Sequence, residues 1–163
     1  MVGAAKLTPA AYEDVEADKS ATGQAIAVVV LSSIAAGLGV GLGLAGVVVG
    51  TVASLIGWLV WAFLIYVIGA RWLAEPDTRS DTGELLRTIG FATSPGILRV
   101  LGIVPALSAI VFFIVALWML ATMVVAVRQA LDYKSTGRAI GVCLLGWLVQ
   151  LAVYVLLGRL IPA

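Results

Sequence analysis

Long apolar runs separated by short polar stretches dominate the chain. A fifth, shorter apolar stretch, residues 89–105, is broken by the turn-forming sequence Ser94-Pro95-Gly96. Because a bilayer core requires about 20 helical residues, the pattern predicts an all-α membrane helix bundle with four long spans and one short segment interrupted by proline. The four long runs are residues 21–40, 44–70, 106–127 and 139–158.

The few charged residues determine the predicted topology. Residues 1–20 form a polar tail, expected to be solvated, and residues 21–163 form a single transmembrane domain. If segment 89–105 crosses the membrane, the tail and both basic connectors lie on one side, which the positive-inside rule makes cytoplasmic. We therefore predict five crossings, a cytoplasmic N-terminus and a location in the cell (inner, cytoplasmic) membrane. The predicted cytoplasmic basic face consists of Arg71, Arg79, Arg87, Arg128, Lys134 and Arg138.

Composition agrees with this pattern. Of the 163 residues, 62% are hydrophobic and 12% are charged, whereas a soluble domain carries about 25% charged residues. The mean hydropathy is +1.13. Ten Lys and Arg with nine Asp and Glu are too few to cover a water-soluble core of this size, so most of the surface is expected to face lipid or other helices.

The residue types exclude most chemistry. The sequence has no His and a single thiol, Cys143, so sites for Zn, haem or Fe–S clusters and His-based triads have no ligands or bases. Cys143 is expected to be a small buried hydrophobe. No carboxylate falls inside an apolar run, which argues against proton-coupled transport. We predict no catalytic residues, no metal, no cofactor and no nucleic-acid partner.

A glycine series joins the first two runs. Three of its members match the spacing of a dinucleotide-binding loop, but the flanks are apolar and no acid follows at the required distance, so that interpretation is rejected. Small residues four apart let two helices approach closely. The series therefore predicts close helix packing or a tight hairpin. Its members are Gly37, Gly39, Gly41, Gly43, Gly46 and Gly50.

Arg99 is the one ionisable residue expected at membrane depth. With Pro95, Gly96 and Pro105 it could form a broken helix that presents a cation to an anionic headgroup or solute. The simpler interpretation is an arginine that snorkels to the interface as an anchor.

Two stretches carry a family resemblance. They are GELLRTIGFATSPGILRVLGIVP at 83–105 and ALWMLATMVVAVRQALDYKSTGRAI at 116–140, which contain Gly90-Phe91 before the first proline and Trp118 in the following span. They resemble the YIP family of small multi-span proteins, named for eukaryotic members that bind Ypt/Rab GTPases. The resemblance implies five membrane segments and a cytoplasmic N-terminus. It points to a prokaryotic-type member, because the tail is far shorter than the N-terminal domain of eukaryotic members, and Rab-type GTPase binding is not expected.

Three functional hypotheses follow. The first, which the sequence favours, is a non-catalytic helix-packing scaffold or accessory subunit of a larger membrane complex, associating with other membrane subunits or with itself in the lipid bilayer. The second is a small transporter, flippase or pore that uses the segment between Pro95 and Pro105. The third is a membrane-shaping or trafficking protein.

Overall fold

The structure is a computed structural model that describes residues 1–160, with side chains described through residue 152; residues 161–163 of the predicted domain lie outside it. All regular elements in the described range are helical. The α-helices are α1 (Val2–Ala5), α2 (Pro9–Ala17), α3 (Thr22–Gly39), α4 (Leu44–Ile65), α5 (Thr82–Ala92), α6 (Pro105–Ala130) and α7 (Thr136–Leu160). A 3-10 turn precedes α3 (Lys19–Ala21), a π-helix extends α4 (Tyr66–Trp72), and a 3-10 segment precedes α6 (Ser94–Ile103).

Among the residues with described side chains, three helices are long and apolar enough to cross a membrane by length and composition. They span Lys19–Gly39, Leu44–Trp72 and Pro105–Ala130, and correspond to three of the four predicted long runs. The fourth run lies within α7, whose apolar part with described side chains, Thr136–Ala152, is shorter than a full span. The prediction of an all-α protein with transmembrane helices is confirmed.

Proline and capping residues define the starts of the shorter elements. Pro9 and Pro105 occupy the first position of α2 and α6, where the missing N–H has no intrahelical partner to lose. Asp81 and Glu84 form a capping box at the start of α5, in which each side chain accepts a hydrogen bond from the other's backbone N–H, at 2.9 and 2.8 Å.

A tight hairpin joins α3 to α4. Gly41 has φ +74°, and the backbone N–H groups of Gly41 and Leu42 donate to the carbonyls of Leu38 and Gly37, which is the Schellman arrangement. These bonds satisfy backbone groups that would be costly to leave unpaired in hydrocarbon. Because α3 ends at Gly39, the pairs 37/41 and 39/43 do not share a helix face as predicted, and the hairpin alternative is what forms.

The chain from α5 through the 3-10 segment runs alongside α3 in the same direction. Gly90 packs on Ala25, Gly96 on Ser32, and Gly102 lies beside Gly39. The 14 residues from Ala25 to Gly39 span about 21 Å of helix. Stretch 89–105 thus contains two short helical pieces rather than one interrupted helix. Helix α6 then runs back along these pieces, and its Thr122 hydroxyl donates to the carbonyl oxygen of Ala92 at 2.7 Å.

The two basic connectors contact each other at one end of the bundle, which we call the connector end. The Tyr133 hydroxyl lies 2.8 and 2.9 Å from the carbonyl oxygens of Gly69 and Leu73. Arg138 pairs with Glu75 at 3.5 Å, and Lys134 pairs with Asp77. The segments before α5 and before α7 therefore lie on the same side of the bundle.

The N-terminal residues are not a solvated tail, which corrects the expectation from the sequence. Helices α1 and α2 pack on α5 and α6. Tyr12 is fully buried, and its hydroxyl donates to the carbonyl of Ala4 at 3.0 Å. The Trp118 indole donates to the carbonyl of Ala5 at 2.7 Å. The apolar side of this polar stretch is thus used for packing.

Candidate functional site

A cavity of about 470 Å³ lies between α3, α4 and α6. Along α4 its wall includes small residues at helical spacing, so that they occupy one face of the helix. Aromatic and thioether side chains form much of the remaining wall. The small residues are Gly46, Gly50, Ser54 and Gly57, and the larger ones include Trp58, Trp61, Phe112, Met119 and Met123.

Arg99 lies at the hairpin end of this cavity, opposite the connector end. Its guanidinium carbon stands 5.6 Å from the centre of the Phe112 ring, a cation–π distance. Its Nε atom is buried and has no hydrogen-bond partner. A guanidinium normally satisfies its donors when buried, so this open donor is the most unusual polar feature of the cavity.

Glycine positions Arg99 by allowing close backbone contact. A Cβ at Gly39 would overlap the carbonyl oxygen of Arg99. A Cβ at Gly102 would come within 2.7 Å of the Phe112 ring and 3.0 Å of the Gly39 carbonyl oxygen. The 3-10 segment is therefore held tightly against the C-terminal end of α3. At 10 residues it is longer than the three or four residues usual for this helix type.

The remaining residues of the predicted broken helix have structural positions around Arg99. Pro95 is fully buried near the start of the 3-10 segment, and Pro105 is exposed at the first turn of α6. A Cβ at Gly96 would overlap the Ser32 hydroxyl. The prolines thus separate three helical pieces, and Arg99 is the member of this set that lines the cavity.

The predicted packing glycines have different environments. A Cβ at Gly37 would meet Val47 of α4 at 3.0 Å, whereas one at Gly46 would meet Leu42 of its own turn at 3.2 Å. At Gly43 and Gly50 a Cβ would meet no atom within 4 Å. Close helix packing is thus concentrated at the hairpin. Gly50 makes no close helix contact and faces the open space of the cavity.

Hydroxyl groups around the cavity mostly bond to their own helices. Ser33 donates to the carbonyl of Val29 at 2.8 Å, and Thr93 donates to that of Gly90 at 2.7 Å. The Trp61 indole nitrogen is buried without a partner. Two donors in the cavity wall, those of Arg99 and Trp61, are therefore left without an acceptor among the described residues.

Most of the predicted basic face is exposed, and two of its six members form ion pairs with carboxylates. Arg71 stacks on Tyr66 with its guanidinium carbon 5.5 Å from the ring centre, and Lys134 and Arg138 pair with carboxylates. Burial raises the pKa of the nearby Tyr133 hydroxyl. Arg79 is exposed, and Arg128 is half-buried with its guanidinium on the carbonyls that follow α6.

Arg87 differs from the rest of the predicted basic face because it is buried, with 5% of its surface exposed. Its guanidinium donates to the carbonyl of Val15 at 3.1 Å and to that of Glu16. These carbonyls end α2, where a cation is favourable. Arg87 therefore anchors the N-terminal helices instead of forming part of an exposed basic surface.

A second cavity of about 590 Å³, the acidic cavity, lies at the connector end. Burial first, and then the neighbouring Asp132 and Glu84, raise the pKa of Glu16 to about 7, while Arg87 opposes the shift. Among the described residues, no group of three or more His, Cys, Asp or Glu is arranged to hold a metal ion. Its charged lining residues are Glu13, Glu16, Glu84, Arg128, Asp132 and Lys134.

Sequence reasoning missed the N-terminal contacts. The available signal was the i, i+3 pair of Tyr12 and Val15 among charges, which marks a short amphipathic turn. Trp118 carried a second signal, since a tryptophan N–H that leaves water usually finds an acceptor.

The helices and their apolar surfaces define the class: an all-helical membrane protein. A family model described as the Yip1 domain matches residues 8–157, from the start of α2 into α7, and the chain belongs to this family. The resemblance seen in the sequence is thereby confirmed, and the family is not known for enzymatic activity. No curated protein and no solved structure matches the chain. The prokaryotic-type assignment stays a prediction.

Proposed function

We propose that this Yip1-family chain is a non-catalytic membrane protein that takes up an amphiphile in the cavity between α3, α4 and α6. This corresponds to the transporter or flippase hypothesis. The observation that carries it is a cavity of about 470 Å³, within the range of about 300–1,000 Å³ that is usual for ligand sites.

The wall chemistry supports an amphiphile with a long apolar part. From Gly46 to Trp61 the cavity follows α4 over 15 residue steps, or about 22 Å of helix. Glycine and serine on that face leave room for a chain beside the helix. Met119 and Met123 add flexible, polarisable side chains that adapt to irregular apolar ligands.

Filling the cavity tests this function. Gly50→Phe introduces a large side chain into the cavity from a position where a Cβ meets nothing within 4 Å. Gly141→Phe is the matched control, because Gly141 is also helical and unobstructed but does not line the cavity. We expect Gly50→Phe to lower the amount of co-purified or photo-crosslinked lipid at least tenfold, with Gly141→Phe at the wild-type level. Equal lipid retention by both variants would refute the proposal.

We further propose five crossings, with the N-terminus and both connectors in the cytoplasm and the chain in the cell membrane. Two arrangements support this: the connectors contact each other, and the chain from α5 through the 3-10 segment runs parallel to α3 before α6 returns. The basic residues at the connector end favour the cytoplasmic side.

Single cysteines test this topology in a Cys143→Ser background, because the chain has no other thiol. We expect Ser108→Cys, beside the start of α6, to react with an impermeant thiol reagent added to intact cells. Ser135→Cys, in the connector before α7, should react only after permeabilisation. The reverse pattern would contradict the orientation, and equal labelling from one side would contradict five crossings.

The scaffold or accessory-subunit role, self-association and membrane shaping remain predictions. The N-terminal helices find their packing partners within this chain, so their order requires no partner protein. Mild-detergent purification at native expression checks this point: stoichiometric co-purifying proteins would favour the subunit role over the amphiphile-binding role. The absence of Rab-type GTPase binding is checked in the same experiment.

A further inference from the structure

We propose that Arg99 makes this cavity selective for lipids with an anionic headgroup, which it binds at the end of the bundle away from the connectors. This inference rests on the proposed uptake of an amphiphile and adds the chemical class of its polar part. Its starting point is an arginine whose Nε atom is buried without a partner in the wall of a cavity.

Arg99 has no carboxylate counter-ion among the described residues. All nine carboxylates lie in residues 13–18, 75–84 and at Asp132, in the N-terminal helices, α5 and the connectors. Arg99 packs beside Gly39, the last residue of α3. The 18 residues of α3 separate the two ends by about 27 Å, more than twice the Debye length at physiological salt. Because a half-buried unpaired cation is costly, an anion from outside the chain is the natural partner.

The guanidinium is held rather than free to snorkel. Its side chain stacks on Phe112, and its backbone is packed so closely on Gly39 that no side chain fits between them. A fixed planar guanidinium is suited to a phosphate or carboxylate, to which it can donate two parallel hydrogen bonds.

The shape of the cavity distinguishes a lipid from a free anion. Beyond Arg99 the wall is apolar along α4 and α6, with Met119, Met123 and Trp58 toward the connector end. A small inorganic anion would occupy only the Arg99 end and leave the apolar part unfilled. A lipid satisfies both parts, with its headgroup at Arg99 and an acyl chain along the glycine face of α4.

A binding comparison in detergent tests the inference on the full chain. The probes are phosphatidylglycerol, which is anionic, phosphatidylcholine of the same chain length, which is zwitterionic, and inorganic phosphate as competitor. We expect wild-type protein to bind phosphatidylglycerol about tenfold more tightly than phosphatidylcholine, the factor that one charge-assisted hydrogen bond contributes. Millimolar phosphate should not displace the lipid.

Variants assign the preference to Arg99. Arg99→Gln should remove the tenfold preference while leaving phosphatidylcholine binding unchanged, and Arg99→Lys should retain part of it. The matched control is Arg71→Gln, because Arg71 has the same stacked geometry on Tyr66 but lies near the connector end. If Arg71→Gln abolishes the preference and Arg99→Gln does not, the inference is wrong.

The remaining outcomes separate this inference from the proposed function. If both lipids bind equally well to wild-type protein, the anionic selectivity is refuted while amphiphile uptake stands. If neither lipid binds, the proposed function fails. Displacement of the lipid by inorganic phosphate would identify a free-anion site and overturn the lipid assignment. The wild-type comparison requires no variant, so it decides the question even if Arg99→Gln fails to fold.

Discussion

The two ends of the bundle handle charge in opposite ways. At the connector end, Arg87 donates to the carbonyls that end α2, Lys134 pairs with Asp77, and Arg138 pairs with Glu75. At the hairpin end, Arg99 lies beside glycine and an aromatic ring with a buried, open donor. The connector end uses charge to hold the chain's own segments together, whereas at the hairpin end Arg99 is held by close packing and its charge is available to an outside anion.

The largest expected effect comes from breaking the close packing at the hairpin end. Gly39→Ala would place a methyl group onto the Arg99 carbonyl oxygen, and backbone shifts of this kind cost about 1–3 kcal/mol or more. The thermal unfolding midpoint should fall by several degrees. Gly23→Ala is the control on the same helix, because its Cβ meets nothing within 4 Å. It should leave stability unchanged or raise it by about 0.5–1 kcal/mol. Equal effects of the two substitutions would contradict the described packing.

A smaller and more local effect is expected from releasing the N-terminal helices. Arg87→Gln replaces two charge-assisted hydrogen bonds to the end of α2 by neutral ones from the amide group, a net loss of about 1.4 kcal/mol that is confined to the N-terminal helices. Amide exchange in residues 2–17 should accelerate at least tenfold, with α4 and α6 unaffected. Arg79→Gln is the control, since that side chain is exposed. Unchanged exchange in α2 would show that Arg87 is not the anchor.

The smallest effect is a pH dependence at the acidic cavity. When α2 is packed on α5 and α6, which we call docked, the pKa of Glu16 is raised from its usual 4.5 to about 7. Between pH 4.5 and pH 7 the docked state therefore binds more protons than the state in which α2 is released. Docking of α2 is therefore tightest below pH 4.5 and weakens as pH rises through 7. Amide exchange in α2 should be slower at pH 5 than at pH 7.5 after correction for intrinsic exchange. Glu16→Gln should abolish the difference, and an opposite trend would refute it.

Local patterns predicted the elements better than their contacts. The capping box at Asp81, the turn at Gly41 and three long helices followed from residue type and spacing, because each depends on neighbours within about four residues. The breaks at Pro95 and Pro105 were also visible. The sequence did not reveal that part of stretch 89–105 forms a 3-10 segment parallel to α3. The contacts that stabilise this segment involve residues more than 60 positions away.

The sequence likewise predicted the key residue of the candidate site but not its contacts. Arg99 was recognisable as the single charge in an apolar stretch, but its ring partner Phe112 and its glycine neighbour Gly39 lie in other elements. Arg87 looked like one more basic surface residue. Its burial depends on α2 folding back onto α5, which no spacing within either helix reveals.

The sequence by itself determined that this is a helical membrane protein with few charges, of which Arg99 alone lies within the apolar stretch 89–105. Hydropathy and charge are sums over local residues, so composition and order suffice for that conclusion. Only the tertiary structure decided which charges at the connector end are held by ion pairs or backbone carbonyls, and that the Nε atom of Arg99 has no partner among the described residues. Pairing depends on distances between segments remote in sequence, and these distances exist only once the helices have packed.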